Sequence, residues 1–173
     1  TPNYLTAFQN TIQRPETYDP VTDVSCVVTL TCPSDYEEPL RASIAAMDKR
    51  NNDNRNFFRD RADLAIVYLT DEDEHGSVTA DEVITQFKNI WPSEKKMKAY
   101  GLIVKPNDQN CKRASGSGSK FGTKIHALAT TTGGFTESIC QSDYSSALRR
   151  IGENVTKLNR TVELEHTPLK NSV

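Results

Sequence analysis

The sequence has no apolar run approaching the roughly 20 residues needed to span a bilayer, so it contains no transmembrane segment. It has no basic surplus either. Lys and Arg number 21 against 23 Asp and Glu, for a net charge of -2 and a pI of about 5.9. That balance argues against nucleic acid or an anionic membrane as partner, since both select a concentrated positive surface. It lacks C-x2-C pairs with nearby histidines, which excludes a finger-type zinc site. It lacks the G-x4-G-K-[ST] spacing, so Gly116-Ser117-Gly118-Ser119-Lys120 reads as a linker loop and not a phosphate cradle. His75, His126 and His166 are scattered, and no Ser/His/Asp or Cys/His set assembles; no enzymatic activity is expected. There is no signal peptide, and Thr1 is not Met. The chain is therefore expected to begin after a processing event or inside a longer protein.

What is present describes a soluble globular chain: 36% hydrophobic and 25% charged residues over 173 positions, enough to bury a core. Cys26, Cys32, Cys111 and Cys140 permit two disulfides; four buried thiols in a cytosolic protein are the alternative. Cys111 lies in a polar stretch, Asp108 to Arg113, a poor setting for an inert thiol. A Cys111–Cys140 bridge is expected, with Cys26–Cys32 by elimination. The second bridge requires the chain to turn back, because an extended strand would hold those Cα atoms roughly 20 Å apart.

Along the chain, Tyr4, Leu5, Phe8 and Ile12 recur at helical spacing, predicting a short helix over 4–13. Val24 to Leu30 is a β-type run broken at Cys32-Pro33-Ser34-Asp35. Glu37 to Arg50 reads as an amphipathic helix. Leu64 to Thr70 is the strongest strand, a continuous apolar run expected in the centre of the sheet, buried on both faces. The acidic loop Asp71-Glu72-Asp73-Glu74-His75-Gly76-Ser77 follows. Thr79 to Trp91 is a helix, Lys98 to Lys105 a strand flanking 64–70, and Ala114 to Ser119 a flexible loop by composition. Phe121 to Thr131 is a helix stopped by Gly133-Gly134. Phe135 to Cys140 is a strand, and a last helix capped by Ser142 presents Tyr144, Leu148, Ile151, Val155 and Leu158 on one face. Thr161 to Glu165 alternates like the start of another strand or a linker to another domain. Alternating strands and helices make an α/β sandwich with a mostly parallel sheet flanked by helices, whose ligands bind at the C-terminal strand ends.

The acidic loop sits at such an end. Carboxylates crowded there, including Asp71 and Asp73, repel one another, and Mg2+ or Ca2+ relieves the repulsion. The plain alternative is an acidic turn complementing the next helix N-terminus. Asp71, Asp73, His75, Gly76, Ser77, Val78, Thr79 and Glu82 also fall at calcium-loop positions 1, 3, 5, 6, 7, 8, 9 and 12 of an EF-hand. The residue at position 5 and a preceding strand depart from that template.

The strand Leu64–Thr70 with Asp71, the segment Ser34-Asp35-Tyr36-Glu37-Glu38-Pro39-Leu40, the late Leu128-Ala129-x2-Thr132-Gly133-Gly134 and the Ser138-Ile139-Cys140 end together resemble a von Willebrand factor A-type domain in a secreted bacterial version. Glu72 stands where that family has Gly. The resemblance spans about residues 4–158. It implies a Rossmann-like three-layer sandwich over 1–160 and a metal-ion-dependent adhesion site. In that site Asp71 is the third-loop aspartate and Ser34 stands in for the second-loop threonine. The family's first loop, D-x-S-x-S, is absent from this chain. A segment preceding Thr1, from the precursor or a neighbouring subunit, is expected to complete the sheet beside Leu64–Thr70.

The function these features imply is a binding or adhesion module of a secreted, periplasmic or envelope protein, engaging a protein or cell-surface partner through a divalent ion. A structural subunit with a vestigial metal site, and a module stabilised by calcium in loop 71–82, are the alternatives.

Overall fold

The computed structural model describes residues 18–19, 24–25, 37–55, 57–59, 62–92 and 95–158. The chain divides into two compact units, Thr1–Glu37 and Glu38–Val173. In the first, β1 (Tyr18–Asp19) pairs antiparallel with β2 (Val24–Ser25). The expected helix at 4–13, the rest of the strand at 24–30, Cys26, Cys32 and Ser34 lie outside the described residues, as does the expected strand start at 161–165.

The second unit is a mixed α/β body. Its elements run α1 (Pro39–Asp48), a short 3-10 turn, β3 (Leu64–Thr70), α2 (Ala80–Ile90), β4 (Met97–Ile103), α3 (Gln109–Ala114), α4 (Thr123–Thr131), β5 (Phe135–Ser138) and α5 (Ser145–Leu158). The three strands are parallel, in the order β3-β4-β5, with Leu64 opposite Met97 and Tyr100 opposite Phe135.

The most apolar stretch is not the middle of the sheet. β4 occupies that place, and six of its seven residues are buried. β3 forms one edge of the described sheet, and its side chains alternate. Tyr68 and Thr70 are buried, whereas Val67 and Leu69 are 47% and 68% exposed. Among the described residues, the expectation of a central, doubly buried β3 is thereby corrected. Its hydrophobicity fits two covered faces, but one face lacks a cover among the described residues.

That difference follows from where the helices lie. On one face, α1, α2 and α4 bring Leu40, Met47, Val83, Phe87, Ile125 and Leu128 against Tyr68, Met97, Ala99 and Ile103. On the other, the described cover is α5. It buries Ala147 and Ile151, and it lies against β5, where Arg150 stacks over the Phe135 ring at 3.9 Å and pairs with Glu137 at 2.7 Å. Tyr100 meets Phe135 edge to face on that side. Ala65, Val67 and Leu69, two strands away, remain open to solvent.

Smaller corrections concern ends. α1 begins at Pro39, whose missing N–H costs nothing in a first turn. The polar stretch at 109–114 is a short helix, because the Asp108 carboxylate accepts from the Cys111 amide at 3.0 Å and starts it. α5 starts at Ser145, with Asp143 and not Ser142 accepting the Ser145 amide at 2.8 Å. Its buried face is accordingly Ala147 and Ile151, and Leu148 is 54% exposed. After α4, Gly133 takes φ 72 and the Gly134 amide reaches back to the Ala129 carbonyl at 2.8 Å. Gly134 then passes so near β4 that a Cβ there would lie 1.8 Å from the Ala99 carbonyl oxygen. No other residue fits that crossing.

Candidate functional site

In a parallel sheet every helix that follows a strand starts at the strand's C-terminal end, so helix N-termini collect on one rim. Each such end carries roughly half a positive charge and several amides without intrahelical acceptors. The loop after β3 emerges on this rim.

Its first turn is local: the Thr70 hydroxyl accepts the Glu72 amide at 3.0 Å and donates to the Glu72 carbonyl at 3.2 Å. The loop is then tied to the segment before α4. The Lys120 amide donates to the Asp71 carbonyl at 3.0 Å. The Lys120 ammonium lies 3.7 Å from Glu72 and 2.7 Å from His75 Nδ1.

Asp73 and Glu74 are buried, at 9% and 4% exposure, and each serves a different helix. The Asp73 carboxylate accepts from the Lys124 amide at 2.9 and 3.2 Å and from Ile125 N at 3.4 Å, in the first turn of α4. Glu74 Oε2 accepts from Leu40 N at 2.8 Å and Arg41 N at 3.3 Å, in the first turn of α1. α2 is closed by a reciprocal box. The Thr79 hydroxyl accepts the Glu82 amide, and Glu82 Oε2 accepts from Thr79 N at 2.7 Å. These Thr79 donors hold the Glu82 carboxyl below its ordinary range. The Lys124 ammonium fastens the loop by donating to the Gly76 carbonyl at 2.6 Å and the Glu74 carbonyl at 3.4 Å.

The plain reading therefore accounts for Asp73, Glu74 and Glu82: they are helix caps. The calcium-loop register does not converge, since Asp73 and Glu82 turn to separate helices and the loop is entered from a strand. Two oxygens remain. The Asp71 carboxylate makes no hydrogen bond or ion pair among the described residues. Glu74 Oε1 is buried without a hydrogen-bond partner. It faces the Glu38 carboxylate across Gly76, where a Cβ would lie 2.8 Å from an oxygen of each. Of the sequence-derived set, Asp71 has a carboxylate without a partner among the described residues, Asp73 is already engaged by amides, and Ser34 is outside the described residues.

Cys111 and Cys140 are bonded, with Cα atoms 5.5 Å apart. The bridge ties α3 to the end of β5. His126 Nδ1 meets the Thr136 hydroxyl at 2.7 Å and joins α4 to β5. Sequence reasoning missed Lys120 and Lys124, which hold the acidic loop from about fifty residues away; no local pattern carries such pairing. Among the described residues no helix is long and apolar enough to cross a membrane. Compared with known proteins, the chain matches no family model, no curated protein and no solved structure.

Proposed function

We propose that this chain is a non-enzymatic binding module of the von Willebrand A type, from a secreted or envelope protein, which engages a protein or surface partner at the rim bearing loop 71–77. A divalent cation, Mg2+ or Ca2+, held by Asp71 takes part in that contact. The observation that supports this reading is the division of labour in the loop. Glu72, Asp73 and Glu74 have partners inside the fold, while the Asp71 carboxylate, on the same anchored turn, has none among the described residues. A carboxylate fixed to a rigid strand end is preorganised for a hard cation or for a partner's donor. The disulfide is in keeping with an extracytoplasmic location, where such bonds persist.

The test is a thermal-shift and calorimetric titration of the chain with MgCl2 and CaCl2. A bound ion raises Tm with concentration by mass action, and Asp71→Ala removes the rise. Asp53→Ala, an exposed carboxylate in an i,i+4 surface pair, leaves it intact. No rise with either ion overturns the cation.

The open face of β3 favours a second reading, a structural subunit whose edge strand is completed by a further strand from its precursor or a neighbouring subunit. Natural proteins cover such edges. Light scattering of the chain with and without Val67→Lys separates the two: self-association abolished by the lysine supports the structural role.

A further inference from the structure

A groove of about 410 Å3 opens at the other pole of the sheet, where β4 begins and where α2 and α4 end. Its floor is aromatic, formed by Phe87 and Trp91, and its rim carries Lys88, Lys95, Lys96 and Lys98. Among the described residues, the ion pairs are Arg41–Glu38, Lys49–Asp53, Lys120–Glu72 and Arg150–Glu137, and none uses these four lysines. Lys95 donates to the Arg59 carbonyl at 2.5 Å and Lys98 to the Asn154 amide oxygen at 3.3 Å. Both acceptors are neutral and leave the positive charge in place.

The C-terminal ends of α2 and α4 explain part of this charge, but not all of it. Two helix ends bring about one negative charge between them, the segment Lys88–Lys98 contains one carboxylate, Glu94, and the Asp63 carboxylate accepts the Lys96 amide at 2.8 Å. About one positive charge remains over an apolar floor, in a chain whose net charge is -2. A surplus of this kind concentrates anionic partners.

The aromatic geometry narrows the class. Trp91 is 9% exposed; Lys95 sits 4.6 Å over its ring, and Phe58 and Phe87 stand 5.3 Å from it. Lys95 occupies the place over the Trp91 ring that a stacked nucleobase would need. The aromatic floor lies recessed between lysines, whereas insertion into a bilayer needs protruding apolar side chains. A recess of this size suits one apolar side chain entering between flanking carboxylates.

We infer that this groove is a docking site for an acidic peptide segment of a partner protein, with one apolar side chain in the recess that Phe87 and Trp91 line and its carboxylates on Lys88, Lys95, Lys96 and Lys98. The site lies at the pole away from Asp71 and does not depend on a cation there.

Trp91 is the only tryptophan in the chain, so its emission reports the groove directly. The experiment titrates the full chain with the blocked peptide acetyl-Asp-Glu-Leu-Glu-Asp-amide while following tryptophan fluorescence. Controls are the same peptide with Gly for Leu, the same peptide with Lys at every acidic position, and phosphatidylglycerol vesicles. The expected result is a saturable change with the acidic leucine peptide, weakened several-fold by raising NaCl from about 50 to about 500 mM. In K88E/K96E, the apparent Kd rises about tenfold or more. Lys88→Gln with Lys96→Gln gives a smaller rise in the same direction, and far-UV circular dichroism confirms that each variant is folded. No saturable change, an equal response to the glycine or lysine peptide, a response to vesicles alone, or an unchanged Kd in both folded double variants each overturns the proposal.

Discussion

Asp73 and Glu74 are adjacent in sequence, yet their carboxylates bind the first turns of two different helices, Asp73 at Lys124 and Ile125 and Glu74 at Leu40 and Arg41. One dipeptide at the end of β3 therefore sets where both α1 and α4 begin.

Because Glu74 is buried against amides that have no other acceptor, its loss is costly. Glu74→Ala should destabilise the fold by about 1–3 kcal/mol, while Glu74→Gln, which keeps an acceptor oxygen, costs less. Glu72→Ala, removing a partly exposed pair with Lys120, should cost under about 1 kcal/mol. Urea unfolding of the three variants gives the order. A Glu72→Ala loss equal to that of Glu74→Ala contradicts the capping account.

Alkaline stability should depend on Tyr68. Burial, opposed by the Ser43 hydroxyl at 2.8 Å and aided by the Glu74 charge, pushes its phenol from 10.0 up to about 12. The folded value exceeds the unfolded one. Its contribution is thus full below pH 10 and disappears as pH rises through 10 towards 12. Tyr68→Phe should flatten the fall of Tm with pH across that window. Absorbance titration of the wild type should show Tyr68 ionising late, together with Tyr100, whose phenol burial also raises. A Tm profile in Tyr68→Phe that parallels the wild type would exclude this origin.

Reduction supplies the third expectation. The Cys111–Cys140 bond closes a loop of sequence separation 29, which the chain-entropy model values at roughly 3–4 kcal/mol. Cys111→Ser with Cys140→Ser should lower unfolding free energy by that order without changing far-UV circular dichroism. A loss below about 1 kcal/mol would show that the bridge follows the fold and does not support it.

Sequence periodicity located the strands and longer helices of the second unit, though not α3 or the short 3-10 turn, because those signals are local. The helix expected over 79–91 matches α2 within a residue at each end, and the apolar run 64–70 matches β3 end to end. Sheet order was less legible. Leu64-Ala65-Ile66-Val67-Tyr68-Leu69-Thr70 is more apolar than Met97-Lys98-Ala99-Tyr100-Gly101-Leu102-Ile103. The latter is central because α4 packs on one side of it and both strands on its edges, a fact of topology. The acidic loop was legible as a place of concentrated charge. Its use was not, because the amides it caps lie about 33 and 51 positions away and carry no side-chain signature.

The parallel topology has a consequence during synthesis. β3 pairs with β4 residue for residue from Leu64–Met97 to Thr70–Ile103, so its described partner emerges from the ribosome about 33 residues later. At roughly 5–20 residues per second that is a wait of about 2–7 s. Throughout it a seven-residue segment without Pro, Gly or charge lacks its described partner, and such a composition nucleates cross-β aggregation. Asp71-Glu72-Asp73-Glu74 follows immediately in the chain. Before any helix exists for them to cap, these four carboxylates act as gatekeepers that keep nascent copies of the strand apart.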